Sequence, residues 1–460
     1  MDSDFTANVK PQRFLYAILL VALLVRTGFL YKNWNNLDMD ASFLLHAEVA
    51  RNILHGNWFQ IDTTYLRQYM LECRAEKKLI DPQDYPPPTN EVLVPLHNDE
   101  GGYGLLLATL WKITGERRWW YVRVLQILLD VLMCWLIYRI GQVNFDYRVG
   151  LIAAFLYACF VPSVEMVVRP HRDIWVSYVY ITSVFLLTKD NFLLKRVASL
   201  AGLGALVGVV ALMRSTVVLY VFFLAAIFFL ITSRRDALRS GLVLCFSFIV
   251  ILSPLLVRNY VVFDKFMATR GSFWHAFWGG VGQMPNKFGL REEDQSIADF
   301  AESLDPSLRP DTERYEDVLK KRAIQFIETE PFTYTSMVVR RAFVMVFPKL
   351  GRALFFLPPV DQPTGTLNRS VAAGWLIAID TSLVCLFLVG LWKSRKQWKK
   401  VVLVTAPYVY TVVTLAPFVF QGRNLYNTYF VVLLFASAAI VSFAEDWRLL
   451  PKLQSVDRQY

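Results

Sequence analysis

The acidic residues best placed to do chemistry stand in short groups at the ends of apolar stretches. The first group, Asn36-Leu37-Asp38-Met39-Asp40, follows the first apolar stretch and runs into Ala41 to His55, where Phe43, Ala47, Ala50 and Leu54 recur at helical spacing until Gly56. Two carboxylates, Asp38 and Asp40, thus begin a helix on the membrane surface. Capping the free N–H groups at the positive end of the helix dipole accounts for either one. A carboxylate with a pKa of about 4 is also ionised at neutral pH and ready to take a proton from a hydroxyl, the task of a general base. A second pair, Asp99 and Glu100, precedes Gly101-Gly102-Tyr103 and the apolar stretch Leu105 to Ile113, which is too short to cross a bilayer and reads as another interfacial helix. A third acid, Asp173, closes Arg169-Pro170-His171-Arg172-Asp173 at the mouth of an apolar segment. The plain account of Asp173 is a local pair with Arg172 or Arg169 at a helix end, and the other is a role in the site.

The arginines extend the pattern. Arg214 interrupts the apolar run Val197 to Thr232 where the chain must turn, Arg258 ends a later apolar segment, and Arg423 begins the last one. Snorkelling at a helix end explains any one of them. Joined by Arg169 and Arg172, they would form a basic rim at the phosphate depth of the outer leaflet. Such a rim suits an anionic lipid-linked ligand, because a guanidinium grips phosphate through two parallel hydrogen bonds. The histidines suggest no metal site: His46 and His55 do not share a helical face, and His97, His171 and His275 are isolated. The sequence carries no G-x-x-x-x-G-K-[ST] loop, no G-x-S-x-G elbow and no H-E-x-x-H helix, so nucleotide hydrolysis and zinc proteolysis have no support. The acidic pairs are compatible with a divalent metal without demanding one.

These side chains have to be positioned by an all-α polytopic membrane architecture. The 460 residues are 55% hydrophobic and only 19% charged, which is more apolar surface than a water-facing domain can cover. Apolar stretches recur, most of them about 17–20 residues long, and roughly ten of them read as transmembrane helices. They are Phe14 to Leu30, Val122 to Ile140, Val149 to Pro162, Ile174 to Leu187, Val197 to Met213, Ser215 to Thr232, Gly241 to Val257, Ala372 to Trp392, Val401 to Pro417 and Asn427 to Ala444. Lysines and arginines cluster in every second connection, as at Arg234/Arg235/Arg239 and Lys393/Arg395/Lys396/Lys399/Lys400, which places those connections and both termini in the cytoplasm. Two long outer loops, about 32–121 and 258–371, then face outward from one transmembrane domain spanning 1–460. The net charge of +10 needs no nucleic acid to explain it. The aromatic run Phe273-Trp274-His275-Ala276-Phe277-Trp278 in the second loop suits either anchoring at headgroup depth or stacking on sugar, in a lid that excludes water.

The order of several weak motifs carries a resemblance. Asp38-Met39-Asp40 leads through an Ala-rich helix to Gly56-Asn57-Trp58; Gly102-Tyr103-Gly104 opens an interfacial helix closed by Gly115; Arg123 opens a span; Ala153-Ala154 leads to Pro162; Gly202-Leu203 runs through Gly208 to Arg214; Pro254 leads to Arg258-Asn259-Tyr260; and Ala323 to Ile327 precedes Pro331. Together they resemble the GT-C membrane glycosyltransferases, in the protein-mannosyltransferase-like and aminoarabinose-transferase-like branch. The resemblance implies transfer of one sugar on the outer face of the cell membrane, from a polyprenyl-phosphate donor to a hydroxyl of a glycan, lipid or protein acceptor, with inversion. By position it implies Asp40 or Asp38 as base, Asp99, Glu100 and Asp173 near the acceptor or a metal, and Arg258, Arg423, Arg214 and Arg172 around the donor phosphate. It does not choose between the two aspartates. A polymerase or ligase acting on lipid-linked glycans would share the outer loops and arginines but not the early acidic motif. A secondary transporter would predict charges at mid-bilayer and inverted repeats.

Overall fold

The computed structural model describes residues 11–34, 41–76, 78–85, 92–97, 99–189, 197–264, 266–268, 272–308, 313–356 and 367–447. Among the described residues the architecture is helical, with one two-stranded antiparallel ribbon. In chain order the helices are α1 (Pro11–Lys32), α2 (Ala41–Leu54), α3 (Thr63–Glu76), α4 (Gly102–Thr114), α5 (Trp120–Asn144), α6 (Tyr147–Ala158), α7 (Val161–Val168), α8 (Asp173–Thr188), α9 (Val197–Ala211), α10 (Tyr220–Ile231), α11 (Arg234–Phe263), α12 (Phe273–Gly282), α13 (Asp294–Leu304), α14 (Glu313–Thr329), α15 (Pro331–Val346), α16 (Pro348–Phe355), α17 (Leu367–Ser394), α18 (Trp398–Leu415), α19 (Gly422–Tyr426) and α20 (Tyr429–Asp446). The strands are β1 (Gln60–Asp62) and β2 (Leu93–Pro95), with Ile61 opposite Val94.

Among the described residues five helical runs are long and apolar enough to cross a membrane: Pro11–Lys32, Trp120–Asn144, Arg234–Phe263, Gly374–Leu415, which takes in most of α17 and all of α18, and Tyr429–Asp446. A sixth is counted when α6 and α7, which meet at 56°, are taken as one broken span. The break has a local cause. Pro162 lies in the first turn of α7, where its missing N–H costs nothing, but within a continuous helix the same ring would collide with the preceding turn. Three shorter apolar helices, Asp173–Thr188, Val197–Ala211 and Ser215–Ile231, take the places of three further expected spans.

The apolar helices share one core, running from Leu15 and Ala22 of α1 to Phe430 and Leu434 of α20. Close approach within it rests on small residues, as is usual where lipid supplies no hydrophobic drive between helices. A methyl group at Gly204 of α9 would lie 2.3 Å from the Leu244 carbonyl oxygen of α11. A charged group is buried there too. Arg26 of α1 donates to Asp130 of α5 at 2.5 Å and to the Ala158 carbonyl, while the Tyr157 hydroxyl donates to Asp130 at 2.6 Å. Asp130 lies ten residues into α5, about 15 Å along the helix. Two smaller cores cap the bundle. One joins α2, α3 and α4 around Leu44, Tyr69, Tyr103 and Trp111. The other joins α12, α13 and α14 around Trp278, Leu319 and Phe326. Trp278 is fully buried and donates to the Leu319 carbonyl at 3.1 Å, so it neither anchors in headgroups nor meets a sugar.

Candidate active site

The Asp99-Glu100-Gly101-Gly102 turn is built around a backbone contact. Gly102 N donates to the Leu212 carbonyl at 2.8 Å, and a side chain at Gly102 would put Cβ 2.3 Å from that oxygen. Gly101 adopts φ +80°, the left-handed conformation that glycine takes without strain. The start of α4 is thereby pressed against the end of α9, which delivers two carboxylates to the turn carrying Arg214 and Ser215.

Glu100 accepts from Ser215 N at 2.7 Å and from Arg172 at 2.6 Å. Asp99 accepts from Gly101 N at 2.9 Å and from the same Arg172 nitrogen, Nη1. One guanidinium therefore holds two neighbouring buried carboxylates. Burial by itself would pull the Arg172 guanidinium down, but Asp99, Glu100 and Asp173 hold it above its ordinary value. His46 of α2 is fully buried, with Nδ1 3.8 Å from Asp99 and its ring edge-on to Tyr103. The Tyr103 hydroxyl donates to Gln126 of α5, and Gln126 in turn donates to the carbonyls of Val167 and Arg169. Gln126 thus fixes the Arg169–Arg172 loop relative to α4.

Asp173 is 1% exposed and faces three basic groups: Arg214 Nε at 2.9 Å, Arg423 Nε at 3.2 Å and His171 Nδ1 at 3.4 Å. The contacts are coulombic, because neither Asp173 oxygen accepts a well-directed hydrogen bond among the described residues. A buried carboxylate is tolerable only with such compensation. The local pairs expected from sequence are not those formed. Arg172 turns to Asp99 and Glu100, and Arg169 takes Glu165 one helical turn back in α7. Asp173 is compensated instead from two distant parts of the chain, because the N-terminus of α8 packs between the α9–α10 turn and α19.

Of the four arginines expected around a donor phosphate, the structure brings Arg172, Arg214 and Arg423 together, each matched by an acid. The basic rim is therefore a charge-compensated network. Arg258 stands apart among the described contacts. It does not end its helix, since α11 runs on to Phe263, and its guanidinium donates to the carbonyls of Phe59 at 3.0 Å and Leu96 at 2.8 Å, pinning the two strands at one end of the ribbon. Asp38 and Asp40 lie outside the described residues. The helix that follows them begins at Ala41 and carries His46 to Asp99.

Beside the network opens a cavity of about 190 Å³. Glu165, Arg169, His171, Asp173 and Arg423 give it a polar wall, and Pro162, Met166, Ile174 and Tyr426 an apolar one. Arg423 is the most accessible of the clustered arginines, its side chain 38% exposed. Sequence reasoning set His46 aside as a metal ligand and passed over Gln126. Neither sits in a motif, and both matter through partners tens of residues away. Among the described residues no three His, Cys, Asp or Glu side chains are grouped to hold a metal ion, and Asp99 and Glu100 both accept from Arg172.

With this geometry in hand, the chain compares with known proteins as follows. Residues 102–257, about a third of the chain and running from α4 into α11, match the family model described as dolichyl-phosphate-mannose-protein mannosyltransferase. No curated protein matches the sequence. Among solved structures, the archaeal oligosaccharyltransferase AglB from Archaeoglobus fulgidus, in complex with an inhibitory peptide and a dolichol-phosphate, superposes with a TM-score of 0.53 at 15% identity over 95% of this chain and 51% of that one. The oligosaccharyltransferase of the same organism tethered to an acceptor peptide with the NVT sequon gives 0.54 at 15% identity, over 95% and 50%. The fold is GT-C-like. The chain spans about half the length of these oligosaccharyltransferases, and at such identities the likeness concerns the GT-C-like fold alone.

Proposed function

We propose that this protein is a membrane glycosyltransferase that moves one sugar from a polyprenyl-phosphate donor to an acceptor hydroxyl at the outer membrane face, with inversion at the anomeric carbon. The observation that carries the reading is the cavity beside the Asp99–Arg172–Asp173 network, which sets Arg423 against an apolar wall of Met166, Ile174 and Tyr426. An isoprenoid phosphate has that division, a dianionic head on an apolar tail, and a guanidinium is the side chain that best holds such a head. The family match over residues 102–257 and the dolichol-phosphate in the archaeal neighbour support it.

In the step proposed, an acceptor oxygen attacks the anomeric carbon as the bond to the phosphate oxygen breaks. The phosphate leaves with the electron pair, and Arg423 offsets its growing charge. Asp40 or Asp38 takes the acceptor proton, and the α2 helix that follows them is held to the Asp99–Glu100 turn through His46. Arg172 and Arg214 fix the acids, so that Asp99, Glu100 and Asp173 shape the site without competing for the proton. The acceptor class remains a glycan, a lipid or a protein hydroxyl. The basic connections put both termini and the α17–α18 junction in the cytoplasm and this site outside.

The test is release of polyprenyl phosphate by purified protein given a panel of short-chain polyprenyl-phosphate sugars and an acceptor extract. Release that Asp40→Asn or Asp38→Asn abolishes, and that Arg423→Met slows by about 10²–10³ at saturating donor, is the expected result. No turnover with any donor, combined with solute flux into liposomes, overturns it in favour of transport.

A further inference from the structure

The cavity beside Asp173 contains a carboxylate for which the transfer step above has no use. Pro162, Glu165, Met166 and Arg169 line it at the i, i+3, i+4 and i+7 spacing of one helical face, while Val164, Val167 and Val168 of the same helix turn into the core. Helix α7 is one half of a broken apolar span, and a charged residue in such a segment marks a functional site by default. Stability does not account for Glu165, since a partly exposed ion pair contributes little.

Two carboxylates line this cavity, and they differ in access. Asp173 is buried and faces three basic groups, whereas the Glu165 side chain is 44% exposed. Its Oε1 accepts from Arg169, and no hydrogen bond reaches Oε2 among the described residues. Arg169 is itself anchored, because Gln126 donates to its backbone carbonyl at 2.8 Å. The pair thus sets an open acceptor beside a guanidinium. Helix α19 packs against both α7 and α8 and brings Tyr426 to the same cavity, its ring held by T-shaped contacts with Phe160 at 5.9 Å and Tyr429 at 6.0 Å.

The ligand must match this wall part by part. A phosphate is repelled by Glu165 and belongs with Arg423. An isoprenoid chain gains nothing from a carboxylate and belongs with Met166 and Ile174. What remains of the donor is its sugar, whose hydroxyls donate to a carboxylate in charge-assisted hydrogen bonds and whose C–H face packs on an aromatic ring. We propose that Glu165, braced by Arg169, is the specificity-determining residue for the donor sugar, accepting from its hydroxyls while Tyr426 packs on its ring. The sugar is then a neutral one, because a uronic acid would set a second carboxylate against Glu165. This inference rests on the transferase reading and adds the class of sugar to it.

Equilibrium binding to the purified full-length protein tests it, with three probes built on one short polyprenol: its bare phosphate, its phosphate linked to the neutral sugar released best in the panel above, and its phosphate linked to glucuronic acid. Glu165→Gln keeps the shape and removes the charge. It should weaken the neutral-sugar probe about fivefold or more, since a hydrogen bond to a charged group becomes one to a neutral amide. The bare phosphate should bind as tightly or more tightly, because a negative charge beside it is gone, and the glucuronic acid probe should gain affinity. A residue that merely held the fold would weaken all three alike. Equal weakening of the three probes, or no change in any, overturns the assignment of Glu165 while leaving the transferase reading intact. So does a Glu165→Gln variant that binds all three as wild type does yet has lost turnover, which would make Glu165 a base. Wild type that binds none of the probes overturns the transferase reading and this inference with it.

Discussion

Replacing Arg172 by Met removes one guanidinium that two buried carboxylates share. Asp99 and Glu100 are 3% and 1% exposed, and both lose the same charged donor at once. Breaking a buried pair by deleting one partner costs about 3–5 kcal/mol, because the other charge stays buried and uncompensated. Met fills similar space, so packing loss adds little. At ~1.4 kcal/mol per decade, the opened population should rise by about two to three orders of magnitude. The assay follows thermal exposure of the buried thiols Cys73 and Cys134 with a maleimide dye in detergent. Arg172→Met should react at a distinctly lower temperature than wild type. Arg172→Met/Glu100→Gln should recover part of the loss, since only one uncompensated carboxylate remains. A single variant that unfolds with wild type, or a double variant no better than the single, refutes the shared-guanidinium account.

Gly102→Ala should disrupt the site far more than Gly115→Ala, although only Gly115 has a positive φ. Its Cβ would meet the Leu212 carbonyl backbone at 2.3 Å, whereas nothing lies within 4 Å of a Cβ at Gly115. Donor turnover and dye reactivity of the two variants decide the order. Asp130→Asn strands Arg26 in the bundle and should lower folded yield, while Arg26→Met/Asp130→Leu should restore it, as monodisperse elution will show. In α14, burial raises the Glu316 carboxyl above its ordinary 4.5, although the amides of Trp274 and His275 pull it down. An acid raised in the folded state contributes stability that is present below pH 4.5 and lost as pH rises through its folded value. Wild type should therefore lose thermal midpoint relative to Glu316→Gln over that rise, and parallel curves would count against it.

Much of this was legible in the linear chain. The runs of apolar residues specified the helices, because a backbone in hydrocarbon must satisfy its own hydrogen bonds. The helix over Ala41–Leu54 and the short helix over Gly102–Thr114 were likewise written in apolar spacing and closing glycines. Asp99, Glu100, Asp173, Arg172, Arg214 and Arg423 could be picked out as charged residues at the ends of apolar segments. What the chain alone did not disclose is who faces whom. Arg172 looks bound to its neighbour Asp173, yet it reaches back 73 residues to Asp99, while Asp173 takes Arg214 and Arg423. Arg258 reads as part of the phosphate rim, yet it holds the ribbon at Phe59 and Leu96. Arg26, within the first apolar stretch, finds Asp130 only in the folded bundle, where Tyr157 donates to the same carboxylate. The physical reason is the reach of the two kinds of information. Hydrophobic periodicity is local and additive, so a sequence window contains it. Charge compensation in a low-dielectric interior depends on which helix ends the packing of Gly102 on Leu212 and of α8 against α19 brings within about 4 Å, and that distance exists only in three dimensions.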